Sequence, residues 1–196
     1  MIHLNIGSNL NSTLTTSDTV GSETLTMTGS GSVASQNFSG SAQSITLGTL
    51  SLGNGTNGGL ASNYTLSGSS LTINKRPLDI DGSKIYDGNT NAADSILTAS
   101  NFATDSTTGN TETLGLSGTA TISSKDAGSR TITNAASALT LSNGSNGGLA
   151  NNYTFTGGTH NFTVNTRPLD VSGTRQYDGT TVASSSDLST LSNFVG

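Results

Sequence analysis

The sequence predicts an all-β protein built from tandem units of about 90 residues. Three observations lead there. Apolar residues alternate with Thr, Ser and Asn at a period of two, which puts one side of a strand in a core and the other in water. One stretch occurs twice: Arg76-Pro77-Leu78-Asp79 with Tyr86-Asp87-Gly88 returns 91 residues on as Arg167-Pro168-Leu169-Asp170 with Tyr177-Asp178-Gly179. Repetition at a fixed period marks an array of one structural unit. Asn-Gly and Asn-Gly-Gly steps separate the alternating stretches and supply the positive φ angles that tight β connections need. Each unit is expected to be an immunoglobulin-like β-sandwich, with a β-grasp-like sheet as the alternative. A β-solenoid fits less well because the repeat is long.

The repeats set the expected boundaries. The Gly-rich stretch from Leu52 to Thr65 returns from Leu141 to Thr154, and Glu23-Thr24-Leu25 returns as Glu112-Thr113-Leu114, both 89 residues apart. Two residues are therefore inserted before the second Arg-Pro-Leu. Residues 1–74 read as the latter part of one unit, 75–165 as a complete unit, and 166–196 as the opening strands of a further one. In chain order, strands are expected around Leu25/Met27, Ile45/Leu47, Leu50/Leu52, Leu71/Ile73, Leu78/Ile80, Leu114/Leu116, Leu139/Leu141, Phe162/Val164 and Leu169/Val171. Thr at many intervening positions suits the polar face of a half-buried strand. Ala92 to Phe102 is the best helical window, but its copy, Val182 to Phe194, carries Ser184-Ser185-Ser186, so no helix is expected there. Pro77 and Pro168, the only two prolines, enter the first strand of each unit. Proline there removes a ladder donor and stiffens the junction.

Composition excludes several functions. Charged residues are 10% of the chain against a usual share of roughly 25%, so hydroxyls and amides hydrate the surface. Net charge is −5 and the longest cationic cluster is Lys75-Arg76, which gives nucleic-acid binding and anionic membranes no electrostatic footing. Cysteine is absent, removing disulfides, Cys-ligated zinc and thiol nucleophiles together. No apolar run approaches the ~20 residues of a membrane helix, so no membrane insertion is expected. Met1 to Val20 has neither a charged start nor an apolar stretch and does not read as a signal peptide; an export signal would lie outside this chain.

With those motifs in place, the chain resembles the YDG-type repeat of large bacterial surface and secreted adhesins, including filamentous-haemagglutinin-like proteins. The resemblance rests on Arg76-Pro77-Leu78, Tyr86-Asp87-Gly88, Asn63-Tyr64-Thr65, Asn152-Tyr153-Thr154 and the turn Lys125-Asp126-Ala127-Gly128, and it covers the chain from about Ser22 onward. The first 20 residues do not match, and Gln36-Asn37-Phe38-Ser39 departs from the Asp-Ala-Gly turn. It implies an extracellular, bacterial cell-surface location.

Residues that suggest chemistry have structural readings beside them. Asp79, Asp81 and Asp87, with Asp94 beyond, are weak candidates for calcium, which needs several oxygens converging from one loop. The second copy carries Ser172 and Ser185 where the first has Asp81 and Asp94, so a turn in which Asp caps its own backbone before Gly is preferred, and no cofactor is expected. Tyr86 and Tyr177 suit a sugar-stacking platform, but a Tyr before a tight turn more often buries its ring and bonds its hydroxyl to backbone. Tyr64 and Tyr153 take the same structural reading. An isopeptide cross-link would need a repeated lysine; Lys75, Lys84 and Lys125 correspond to Thr166, Arg175 and Gln36. His3 and His160 belong to no repeated motif, no nucleophile elbow occurs, and no Gly-rich stretch is a phosphate loop. The chain is not expected to be an enzyme. Sequons at Asn11, Asn37, Asn54, Asn63, Asn143, Asn152 and Asn161 are weak glycan sites, of which Asn54, Asn63, Asn143 and Asn152 recur in the repeat.

The expected function is mechanical: a stalk or spacer in an adhesin or extracellular fibre, each unit adding length and stiffness. The alternative is a binding module for glycans or a host protein. The expected partners are neighbouring repeats or copies of the chain itself, with a host surface or glycans second. Residues 166–196 of one copy would supply strands missing from residues 1–74 of another, giving a head-to-tail filament. The simpler reading of the ends, and the preferred one, is that the chain is a piece of a longer array.

Overall fold

The computed structural model describes residues 19–67, 70–106 and 108–195; His3 and the sequon at Asn11 lie outside the described residues. Two compact units form, one ending at Lys75 and one beginning at Arg76. Both are built of β-strands, as the alternation requires.

In the first unit, β1 (Leu25–Thr28) pairs antiparallel with β3 (Ser51–Asn54), and β2 (Ala42–Ser44) pairs antiparallel with β4 (Ser70–Thr72). The strand expected at Ile45/Leu47 is reduced to a single bridge, Ser32 with Thr46. Gly48 turns there at φ 57°, and Thr49 N–H donates back to the Ser30 carbonyl at 3.0 Å, so the chain reverses before a ladder can form. Leu25 is the only buried hydrophobic side chain among the described residues of this unit.

The second unit runs through β5 (Arg76–Pro77), β6 (Asp79–Ile85), β7 (Asn91–Ala93), β8 (Leu97–Ser100), β9 (Leu114–Thr121), β10 (Gly128–Thr131), α1 (Ala135–Ala138), β11 (Leu139–Asn143), β12 (Tyr153–Thr154), β13 (His160–Asn165), β14 (Asp170–Ser172) and β15 (Thr190–Ser192). A single 3-10 turn, Asp94–Ile96, lies in the window with the most helical pattern. The one-turn α1 has no amphipathic stripe that the sequence could display.

A four-stranded sheet has the order β8-β6-β13-β10, and a three-stranded antiparallel sheet the order β11-β9-β7. In the first sheet the two central strands, β6 and β13, are parallel, and each has an antiparallel neighbour outside it. Just past β9, Ile122 bridges to Ile132 after β10, which joins the two sheets at a corner. Ile80, Phe162 and Val164 from one sheet meet Ala92, Ala120 and Leu139 from the other in one buried cluster. Gly82 lets the layers close: a Cβ there would sit 2.7 Å from the Ile96 carbonyl and 2.8 Å from the Phe162 ring. The class is all-β.

The repeated sequences fold into repeated pieces. β1 and β3 keep the register of β9 and β11: Leu25 faces Asn54 as Leu114 faces Asn143. β2 and β4 keep that of β10 and β13: Gln43 faces Leu71 as Arg130 faces Phe162. β14 and β15 keep that of β6 and β8: Asp170 faces Ser192 as Asp79 faces Ser100.

Candidate functional site

Each Arg-Pro motif closes a clamp on an asparagine some 25 residues downstream. The Arg76 guanidinium donates from Nε to the Asn101 carbonyl (2.6 Å) and from Nη2 to its side-chain oxygen (2.8 Å), while Asn101 Nδ2 donates to the Pro77 carbonyl (2.9 Å). Arg167, Asn193 and Pro168 repeat the three bonds at 2.5, 2.7 and 2.8 Å. Both asparagines sit at φ 67°, a left-handed backbone that Asn tolerates better than most residues. The planar fork of Arg suits a carbonyl and an amide oxygen side by side. Neither asparagine was singled out from the sequence. The signal was available in Ser100-Asn101-Phe102, which returns as Ser192-Asn193-Phe194.

The Tyr-Asp-Gly motif is a turn held by a cation. Gly88 and Gly179 take φ 78° and 76°. The Asp87 carboxylate accepts from Asn89 N–H (3.2 Å), and Asp178 accepts from Thr180 N–H (2.9 Å). Three residues before each Asp stands a cation. Lys84 Nζ lies 2.9 Å from the Asp87 carboxylate and donates to the carbonyls of Asn89 (2.9 Å) and Asn91 (2.8 Å). Arg175 lies 3.4 Å from Asp178 and donates to the carbonyls of Thr180 and Val182. Burial alone would raise the Asp87 carboxyl, but the Lys84 ammonium and the Asn89 N–H outweigh it and hold Asp87 below the ordinary range. Lys84 and Arg175 thus share a role that the sequence comparison did not assign.

The tyrosines after the Gly-rich loops are buttressed by glutamates. Tyr153 is buried; its hydroxyl donates to Glu112 (2.6 Å) and accepts from Ala103 N–H (3.0 Å), and its ring meets Phe102 edge-on at 5.9 Å. Tyr64 donates to Glu23 at 2.5 Å and accepts from Val20 N–H at 3.1 Å. Burial, then the glutamate bond, raises Tyr153, and the bond to Glu23 raises Tyr64. In the preceding loops the Asn54 and Asn143 side chains accept from Ala61 N–H (2.8 Å) and Ala150 N–H (2.9 Å). Asn63 and Asn152 end short 3-10 turns.

The calcium candidates are engaged one by one. Asp79 accepts from Thr159 N–H at 2.7 Å, which holds its carboxyl below the ordinary range. Asp81 is exposed on β6, and Asp87 belongs to the turn just described. Among the described residues no three His, Asp or Glu side chains come together as a metal site. His160 lies against Phe155 at 6.3 Å, with its Nε2 buried and without a hydrogen-bond partner.

The two motifs meet where one repeat gives way to the next. A cleft of about 350 Å³ is walled by Tyr86, Asp126 and Ala127 of the complete unit and by Arg167, Leu169 and Phe194 of the following hairpin. Val195 closes on the turn, such that a Cβ at Gly88 would lie 2.9 Å from Val195 Cγ1. Glycine at this position therefore serves both a left-handed φ and a close approach. The Asp126-Ala127 turn and the Tyr-Asp-Gly turn form one end of a unit, and the Arg-Pro-Leu hairpin seats there.

An all-β unit with these turns and clamps matches a known family model: residues 70–161 form a YDG domain. No curated protein and no solved structure matches the chain.

Proposed function

We propose that the chain is a structural, force-bearing segment of a bacterial cell-surface adhesin or extracellular fibre, made of tandem YDG-type units and without an active site. One observation carries this reading. The first and last long strands of the complete unit, β6 and β13, lie side by side in parallel over six residue pairs, Ile80 with His160 through Ile85 with Asn165. Tension entering at Arg76 and leaving after Asn165 pulls them in opposite directions along their length. The ladder bonds then load together instead of opening one after another, and Leu78 N–H to Thr154 (2.8 Å) and Tyr86 N–H to Asn165 (2.9 Å) extend the shared load at both ends. A central parallel pair with antiparallel neighbours supports the β-grasp-like alternative over an immunoglobulin-like sandwich for each repeat. The sparsely charged surface and the seat for the next hairpin also suit a spacer. No cofactor is proposed. A glycan-binding module is the second reading, favoured by the exposure of Tyr177 alone.

The test is directional pulling on single molecules, with handles on engineered cysteines in a chain that has none of its own. Lys75→Cys with Thr166→Cys loads β6 against β13 in shear; Lys75→Cys with Thr159→Cys peels them from one end. Shear is expected to need several times the force of peeling and to release roughly 300 Å of chain per unit. Equal forces in the two directions would remove the mechanical reading.

A further inference from the structure

We propose that the complete unit carries a small-molecule site between α1 and residues 155–160, shaped for one neutral sugar ring. The inference goes beyond the stalk reading and does not depend on it, so equal forces in shear and peeling would leave it standing.

The site is built where the complete unit is longer than the first. Thr46 and Thr133 hold the same position: each donates its N–H across a strand bridge at 2.8 Å, to the Ser32 and Thr121 carbonyls respectively. Ser51 and Thr140 are likewise equivalent, since Ser51 faces Thr28 as Thr140 faces Ser117. Four residues separate Thr46 from Ser51, and six separate Thr133 from Thr140. Five residues lie between Thr65 and Leu71, and seven between their counterparts Thr154 and Phe162. Both lengthened segments border one cleft of about 480 Å³, walled by residues 133–137 on one side and by 155–158 with His160 on the other. It shares no residue with the cleft at the repeat junction. Its volume is that of a small-ligand pocket and far exceeds a single water.

The chemistry of the walls selects the ligand. Buried Ala135 and Phe155 give the cleft an apolar base. Thr133 Oγ1 donates to the Thr121 carbonyl at 3.0 Å, and Ser137 Oγ donates to the Asn134 carbonyl at 3.2 Å. Each hydroxyl has thereby committed its proton and can only accept from a ligand. His160 Nε2 is buried without a hydrogen-bond partner; it accepts or donates according to tautomer. A carboxylate is an acceptor only and brings nothing to the two committed hydroxyls. An ammonium would find no carboxylate in these walls and would be desolvated unpaired. Sugar hydroxyls both donate and accept, so they suit Thr133, Ser137 and either tautomer of His160, while the C–H face of the ring covers the apolar base. Asn134 Oδ1 accepts from Thr121 N–H at 2.6 Å, which ties α1 to β9 and leaves little to be ordered on binding. A free hexose and the terminal hexose of a glycan present this same ring.

The test is titration of the whole chain with glucose, galactose and mannose, followed through backbone amide NMR shifts. At least one is expected to move the amides of residues 135–137 and 156–160 with a millimolar dissociation constant. Glucuronate and glucosamine, its charged counterparts, should bind at least about tenfold more weakly. Ala136→Trp fills the cleft from an exposed position that leaves the core untouched, and His160→Phe keeps a ring beside Phe155 while removing Nε2. Each should weaken binding by at least about tenfold. Shifts confined to Tyr177 and its hairpin overturn the proposal, as do equal binding of the charged sugars, parent-like binding by Ala136→Trp, or no shift with any of the three hexoses at tens of millimolar. Methyl glycosides of the hexose that binds then identify its source. Binding kept by one anomer supports the end of a glycan, and loss with both anomers supports a free sugar; each result requires the pocket.

Discussion

The two Arg-Pro-Leu hairpins have the same hydrogen bonds and opposite burial. In both, the Arg clamp, the left-handed Asn, the Asp-Gly turn and the strand register repeat almost atom for atom. Leu78 and Ile80 are nonetheless sealed in a core, while Leu169, Val171 and Tyr177 face outward, Tyr177 at 98% exposure. Local sequence therefore fixes the shape of the hairpin, and only a closing strand gives it an interior. The motif is a connector with its own fold grammar, and the stability of a unit comes from the β13 side.

The sharpest way to break this contrast is to empty the closing strand. Phe162→Ala should cost roughly 3–5 kcal/mol in the complete unit, as large-to-small changes at sealed aromatic sites do. Leu71→Ala, at the matching place on β4, should cost about 1 kcal/mol or less, since that side chain is already half in water. The chain has two compact units, so a single melting curve would blend them. Hydrogen exchange at β9 and β1 amides reads them separately. Equal losses would mean that β4 is covered in solution. The hairpins offer the next contrast: Ile80→Ala should cost about 2–5 kcal/mol and Val171→Ala well under 1 kcal/mol.

Substituting the clamp asparagine should abolish the difference between copies. Asn101→Ala and Asn193→Ala each remove two side-chain bonds and leave a non-glycine residue at φ 67°, with an expected cost of about 1–2 kcal/mol at either site. A clear inequality, read from protection of the β6 and β14 amides, would show that the clamp depends on the closing strand after all.

Much of this was legible in the sequence, and the limits have physical causes. Period-two alternation locates eight of the nine expected strand regions, because a strand half in a core must alternate; Ile45/Leu47 fails because Gly48 and Thr49 reverse the chain at once. The repeat offsets revealed the matching halves, since equal local sequence gives equal local bonds. Sheet order was not legible. β6 and β13 pair across some 80 residues, and nothing in either strand's own pattern says whether its neighbour is parallel. The clamp asparagines are not legible in the Arg-Pro and Tyr-Asp-Gly motifs themselves, because a left-handed Asn announces itself only by recurring in Ser-Asn-Phe.

The tyrosine hydroxyls separate the units by a smaller margin. Tyr153→Phe deletes a bond to Glu112 and one from Ala103 inside a packed site and should cost about 1–2 kcal/mol, whereas Tyr64→Phe, at a more open site, should cost clearly less. Titration supplies an independent reading with a definite sign. The folded state raises Tyr153 above its ordinary value of 10.0, so its contribution is fully present below pH 10 and lost as pH rises through the higher folded value. Asp79 and Asp87 are lowered from 3.8, so their contribution is present above that value and lost as pH falls through the lower folded values. Asp79 owes its shift first to Thr159 N–H, a group of the closing segment. Acid should accordingly loosen the hold of β6 on β13 before it disturbs either hairpin's own clamp, in which no carboxylate takes part. Exchange of the β6 amides between pH 4 and pH 2 should rise ahead of exchange beside Asn193, and Asp79→Asn should flatten that rise. Simultaneous loss at both places would mean that the closing segment and the clamp open as one unit.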